Sequence, residues 1–245
     1  MTTAISKTQI DRVGERLKNG SYDEEDLGIL NQYRLSYAEA YETVVGAIKN
    51  KLRLELTGRP KSNVSIIQKL RRESIRLTQM QDIAGCRMIV TDIASQDAVV
   101  QSLKGLFEDI AIIDRRQQPS HGYRAINAIV RCQERLVEVQ VRTQLQQVWA
   151  ELSEKISDVV DQAIKYGEGD EEIQAILTQT SSSVARLESF EAELDRLSLE
   201  NAHLPIQQLT MIKKRQAELE EEGHLFVERL SDALREAIHC IEIEG

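Results

Sequence analysis

The chain has only three cysteines, Cys86, Cys132 and Cys240. An odd set cannot all pair, and Cys86 and Cys132 each fall in an apolar, strand-like run that suits a small buried thiol, so neither a disulfide framework nor a zinc site is expected. Long apolar runs are missing as well. No stretch approaches the roughly 18 residues that a membrane span needs, and the opening MTTAISKTQIDRVGERLKNG has no apolar signal core, which together predict a cytoplasmic protein without a membrane partner. Positive charge is the minority sign, with 31 Lys and Arg against 40 Asp and Glu and a net charge of −9, which argues against a surface that is a nucleic-acid platform throughout. With only three prolines, each marks a break: Pro60, Pro119 and Pro205. What remains is 245 residues, 41% of them hydrophobic, enough for one large domain or a catalytic domain with an appendage.

The scarce positive charge is concentrated. Between Lys49 and Arg76 stand Lys49, Lys51, Arg53, Arg59, Lys61, Lys69, Arg71, Arg72 and Arg76 against Glu55 and Glu73, while GEGDEE and AELEEEG gather carboxylates toward the C-terminus. Taken in order, Thr8 to Lys18 read as a helix closed by Asn19 and Gly20, and a longer helical pattern runs from about Tyr22 to Leu54 with a break near Ser36. TGRPK interrupts it, because Gly58 is permissive and Pro60 biases Arg59 toward an extended backbone. Ser62 or Asn63 caps the next helix, with Val64, Ile67 and Leu70 as its apolar stripe. Arg59 and Lys61 on a rigid loop and Lys69 on that helix outline a polyanion site, although a basic run is as often a solvated face. DIAGCRMIV, a helix from about Ser95 to Phe107 and the run Ile110 to Ile113 then read as strand, helix, strand. Asp82 stands at the entrance of its strand, where a carboxylate can bind Mg²⁺ or serve as a cap, and Arg87 interrupts the apolar run.

DRRQQPSHGYRAINAIVR is a polar loop leading into a strand. Tyr123, directly after Gly122 and beside Arg115, Arg116, His121 and Arg124, is either core or a base-stacking ring. A tight turn at Glu134 and Arg135 predicts an antiparallel hairpin with LVEVQVR, Leu136 to Arg142. There Val137, Val139 and Val141 share one face, and Glu138, Gln140 and Arg142 share the other; a half-exposed strand with a polar side is the ordinary outcome of such a pattern. Thr143 caps a helix with Trp149 in its core stripe. After GEGDEE, Glu171 to Asn201 and Ile206 to Ile243 read as amphipathic helices that fold back on the domain or, as the sharper expectation, pair with another subunit into a homo-oligomer.

GRPK, SIIQKL, DIAGCRMIV, PSHGYRAINAIV, VEVQVRT and WAELSEK, in this order and at these intervals, resemble the synthetase domain of the RelA/SpoT alarmone synthetases over about residues 36–165. No hydrolase-like segment precedes the match, so the chain looks like a small stand-alone synthetase. The resemblance implies an α+β fold, a mixed and largely antiparallel sheet packed with helices in a nucleotidyltransferase-like domain of residues 36–167, with an N-terminal helical segment 1–35 and a C-terminal helical extension 168–245. It implies a GTP diphosphokinase that moves the β,γ-pyrophosphate of ATP to the 3′-hydroxyl of GTP or GDP, making (p)ppGpp for the stringent response. Arg59, Lys61, Lys69 and Arg87 match ATP-binding positions, Asp82 the Mg²⁺ ligand, and Glu138 the catalytic carboxylate that also assists the metal. Tyr123 matches the ring that stacks on the acceptor base, with Gly122, Asn127, Gln140 and Arg142 around it. Three departures concern the acceptor side: Asn127 where the family has histidine, Glu154 and Lys155 where it often has Glu-His, and PSHG without the usual lysine and asparagine. They leave open two alternatives, a toxic relative acting on the tRNA 3′ end or an adenine nucleotide, and a catalytically silent nucleotide-binding regulator.

Overall fold

The first helix, α1 (Lys7–Asn19), begins and ends where its punctuation places it. The Ser6 hydroxyl accepts from the Gln9 N–H, and Gly20 closes the helix in the left-handed region at φ 74°. The long helical pattern that follows is two helices, α2 (Glu24–Leu35) and α3 (Ala38–Leu52), and the break falls at Ser36, whose hydroxyl donates to the Tyr33 carbonyl at 2.6 Å. Then come β1 (Thr57–Gly58), α4 (Asn63–Arg72), β2 (Ala84–Val90), α5 (Ile93–Leu106), β3 (Ile110–Asp114), β4 (Ile126–Cys132), β5 (Arg135–Thr143), α6 (Gln144–Val159) and α7 (Glu171–Glu200). This computed structural model describes residues 5–200 and, beyond them, 210–215, 217, 218, 221, 225 and 228. Most of the expected helix from Ile206 to Ile243, and Cys240, therefore lie outside the described residues.

The strands form one five-stranded, mostly antiparallel sheet in the order β1-β2-β5-β4-β3, so the protein is α+β. β2 and β3, which flank α5 in sequence, are not neighbours: the β4–β5 hairpin lies between them. Its turn sits at Gln133 and Glu134, both with positive φ (48° and 62°), one residue earlier than the sequence suggests. β1 pairs antiparallel with β2, Thr57 opposite Arg87 and Gly58 opposite Cys86. No described helix is long and apolar enough to cross a membrane.

The chain forms two compact units, one of Met1–Met88, Val99–Ile113 and Asn127–Val141, the other of Ile89–Ala98, Asp114–Ile126 and Arg142–Gly245. The first has a core of Ile10, Val13, Leu17, Leu30, Tyr33, Ile66, Ile67, Leu70 and Leu77, to which α1, α2 and α4 contribute. Here α4 corrects an expectation: Ile66, Ile67 and Leu70 are its buried stripe, whereas Val64 is 64% exposed. At 100° per residue, Val64 lies roughly 120° around the helix from Leu70, beyond the edge of the core-facing sector. The second unit has its core around α6, where Trp149, Ala150, Leu152 and Ile156 meet Ile164 and Leu177.

Candidate active site

β1 runs on as an extended segment that lays out the first cluster. The Arg59 N–H donates to the Gly85 carbonyl at 2.7 Å and the Lys61 N–H to the Ile83 carbonyl at 3.1 Å, so TGRPK continues the ladder begun at Thr57 and holds Arg59 and Lys61 at alternate positions. On the opposite side of β2, Gly85 admits the close approach of β5, because a Cβ there would meet the Glu138 carbonyl oxygen at 2.9 Å. From the other side of Pro60, the Ser62 hydroxyl accepts from the Ser65 N–H, starting α4 and placing Lys69 near its last turn.

Lys61 and Lys69 converge on Asp82. Lys61 Nζ reaches Oδ2 at 2.7 Å and Lys69 Nζ reaches Oδ1 at 3.1 Å, with side chains only 18%, 20% and 15% exposed respectively. These are not cations spread over a solvated helix face. Burial pushes the Asp82 carboxyl up, but the two ammonium groups outweigh it and leave the group below the usual carboxylate range. Glu138 shows the opposite balance: burial and then the charge of Asp82 raise it, against Arg59, the Gln140 amide and Lys69. Gln140 donates to Glu138 Oε2 at 2.9 Å, while its own Oε1 is buried without a hydrogen-bond partner among the described residues. The polar face of β5 is therefore not solvated: Gln140 is 4% and Arg142 2% exposed, which overturns the half-exposed reading of this strand. Arg87 lies in β2 opposite Thr57 and is half-buried.

The second unit holds the second cluster. The Arg142 guanidinium lies 5.0 Å from the Tyr123 ring centroid, donates through Nη2 to the Tyr123 hydroxyl at 3.3 Å and through Nη1 to Gln147 Oε1 at 2.9 Å. Gln147 in turn donates to Glu151 Oε1 at 2.7 Å. Gly122 has φ 85° and backs onto Trp149, where a Cβ would meet the indole at 2.6 Å, so the turn that presents Tyr123 admits only glycine. Tyr123 pairs with Ser120 in an isolated bridge, and β4 starts only at Ile126, so strand alternation does not relate Asn127 to the ring. Asn127 is half-buried in β4, and Lys155 is exposed on α6.

Residues 58–159 match the region found in RelA / SpoT proteins. The chain therefore carries a RelA/SpoT-type region over these residues. An uncharacterised protein of Mycobacterium tuberculosis is 31% identical over 179 residues, 69% of this chain and 65% of that relative, so the chain spans just under two-thirds of its length. The GTP pyrophosphokinase YjbM of Bacillus subtilis is 29% identical over 155 residues, 57% of this chain and 70% of YjbM. Among solved structures, the small alarmone synthetase 1 from Bacillus subtilis, bound to its product pppGpp, superposes with a TM-score of 0.53 at 25% identity, over 71% of this chain and 97% of that one.

Every site residue anticipated from the sequence falls within the matched RelA/SpoT region. Arg59, Lys61, Lys69, Asp82, Glu138 and Gln140 are brought into one hydrogen-bonded and electrostatic group, and Gly122, Tyr123 and Arg142 into another. The sequence reading missed Gln147 and Glu151, which extend the second group along α6; their signal was the i, i+4 spacing of two polar residues downstream of Arg142.

Proposed function

We propose that the protein is an ATP-dependent pyrophosphokinase that transfers the β,γ-pyrophosphate of ATP to the 3′-hydroxyl of GTP or GDP, a reaction on free nucleotides in the cytoplasm that serves the stringent response. The observation that carries this reading is the grouping of Arg59, Lys61 and Lys69 with two carboxylates of opposite tendency, Asp82 held ionised and Glu138 pushed toward the neutral form. Catalysis of phosphoryl transfer is mostly positioning and charge neutralisation, which such a group supplies. Arg59, Lys61 and Lys69 bind the ATP phosphates; the hydroxyl oxygen forms its bond to the β-phosphorus as the bridging bond to the α-phosphate breaks, and AMP leaves. Glu138 takes the hydroxyl proton on Oε1, since Gln140 holds Oε2, and a carboxylate shifted upward is the stronger base.

Mg²⁺ fits the donor set: Asp82 and Glu138 repel one another, and this cation favours one or two carboxylates completed by substrate phosphate oxygens. When bound it neutralises phosphate charge. Tyr123 with Arg142 offers a flat ring and a guanidinium to a purine base. The similarity to an enzyme named a GTP pyrophosphokinase and to a synthetase crystallised with pppGpp supports a guanine nucleotide as acceptor.

Labelled ATP offered with GDP, GTP, ATP or tRNA tests the reading. Transfer to GDP or GTP is expected; transfer only to tRNA or adenine nucleotide makes the protein a member of the toxic branch, and binding without transfer makes it a silent regulator. Glu138→Gln is expected to abolish transfer while melting temperature holds or rises, because the amide removes the repulsion with Asp82. Wild-type transfer by that variant overturns the assignment.

A further inference from the structure

The described part of α7 lies beyond the matched RelA/SpoT region, yet it grips the second cluster. Leu177, Ser181, Val184 and Glu188 recur at helical spacing and are all buried, at 1%, 2%, 4% and 6% exposure. A stripe that served only to bury apolar surface would have apolar residues at all four positions, since a hydroxyl and a carboxyl are costly to desolvate unless bonded. Both are bonded, and to the acceptor elements. The Ser181 hydroxyl donates to the Gly122 carbonyl and accepts from Arg124 Nε at 3.0 Å, bridging the residues on either side of Tyr123. One turn before Ser181, the Leu177 carbonyl accepts from the Trp149 indole N–H at 2.9 Å, closing the wall behind Gly122.

Glu188 acts at the other end. It accepts from the Thr143 hydroxyl and from Gln146 Nε2 at 3.1 and 3.2 Å. Thr143 follows Arg142 directly and is the N-cap of α6, the helix that carries Gln147, so Glu188 fixes the corner from which both acceptor-side polar residues extend. Gln146 is further locked to Gln96, which is fully buried, by an amide-to-amide bond of 2.9 Å.

We propose that Ser181 and Glu188 of α7 are positioning residues for the acceptor nucleotide, Ser181 through the Gly122–Tyr123 turn and Glu188 through the Thr143 corner that sets Arg142 and Gln147. This rests on the reading of Tyr123 and Arg142 as the acceptor-binding pair. Misplacement of a binding group by about an ångström weakens its interaction steeply, so the effect belongs in acceptor KM.

The experiment measures kcat, acceptor KM and ATP KM for the full chain and its Ser181→Ala, Glu188→Ala and Glu188→Gln variants, with melting temperature and amide hydrogen exchange of residues 115–124. Ser181→Ala and Glu188→Ala are expected to raise acceptor KM by about tenfold or more, with kcat and ATP KM within about twofold of wild type and faster exchange in the turn for Ser181→Ala. Glu188→Gln keeps an acceptor oxygen in place and should restore most of the acceptor affinity lost in Glu188→Ala. Unchanged acceptor KM, or a rise of both KM values together, overturns the proposal and leaves the pyrophosphokinase reading standing. A wild-type chain that transfers to no acceptor overturns that reading, and the proposal with it.

Discussion

At the scale of the residue, the donor group is self-neutralised: the two lysines assigned to ATP phosphates both lie on the carboxylate assigned to the metal. A triphosphate without metal must displace Asp82 from both lysines, and a metal without a triphosphate must displace both lysines from Asp82. Asp82→Asn is therefore expected to abolish transfer and yet to bind ATP several-fold more tightly in EDTA, a gain of about 1 kcal/mol, as measured by calorimetry. Unchanged or weaker metal-free binding would mean that the lysines face the nucleotide little or not at all. For the acceptor, Tyr123→Ala is expected to lose about 1–3 kcal/mol of binding, roughly 5- to 150-fold, with Tyr123→Phe keeping most of it, because the ring carries the stacking and the bond from Arg142 to the hydroxyl is long, at 3.3 Å. A fall in melting temperature with equal damage to ATP binding would return Tyr123 to a purely structural role.

At the scale of the element, Glu188 ties α7 to the start of α6 in a pH-dependent way. Burial raises its pKa, against the Thr143 and Gln146 hydrogen bonds and the charges of Arg116 and Arg124. A carboxyl whose folded pKa lies above its unfolded one binds more protons when folded, so its stabilisation is complete below the ordinary carboxylate pKa and is lost as pH rises through the raised value. The stability of wild type minus that of Glu188→Gln, from denaturant melts across that window, is expected to fall with rising pH; a flat difference would remove the burial account. Elements of this kind also show what a sequence displays. Caps and breaks act within a few residues, so Gly20, Ser36, Ser62 and Thr143 were legible as the ends of helices. Alternation likewise gave the two faces of β5 correctly. Whether the polar face was wet depended on partners such as Gln147, and whether Ser181 and Glu188 were surface or buried depended on residues 59 and 45 positions away. Periodicity carries no information about such distant partners.

At the scale of the whole molecule, a net charge of −9 coexists with a basic stretch from Lys49 to Arg76. A small nucleotide meets only the local cations, whereas a long polyanion must also approach the acidic remainder and displaces counterions with each phosphate contact. Transfer to GDP or GTP is accordingly expected to fall by only a few-fold between about 50 and 200 mM salt, while a tRNA acceptor would lose about tenfold or more. A steep loss with the mononucleotide would contradict this. One further property follows from the chemistry of the wall behind Gly122. Trp149 is the sole tryptophan of the chain, it is 5% exposed, and its indole N–H is bonded to the Leu177 carbonyl of α7. Its fluorescence is therefore a label-free gauge of whether α7 is seated: emission shifts to the red when that carbonyl withdraws and water reaches the indole, with no other indole to obscure the signal.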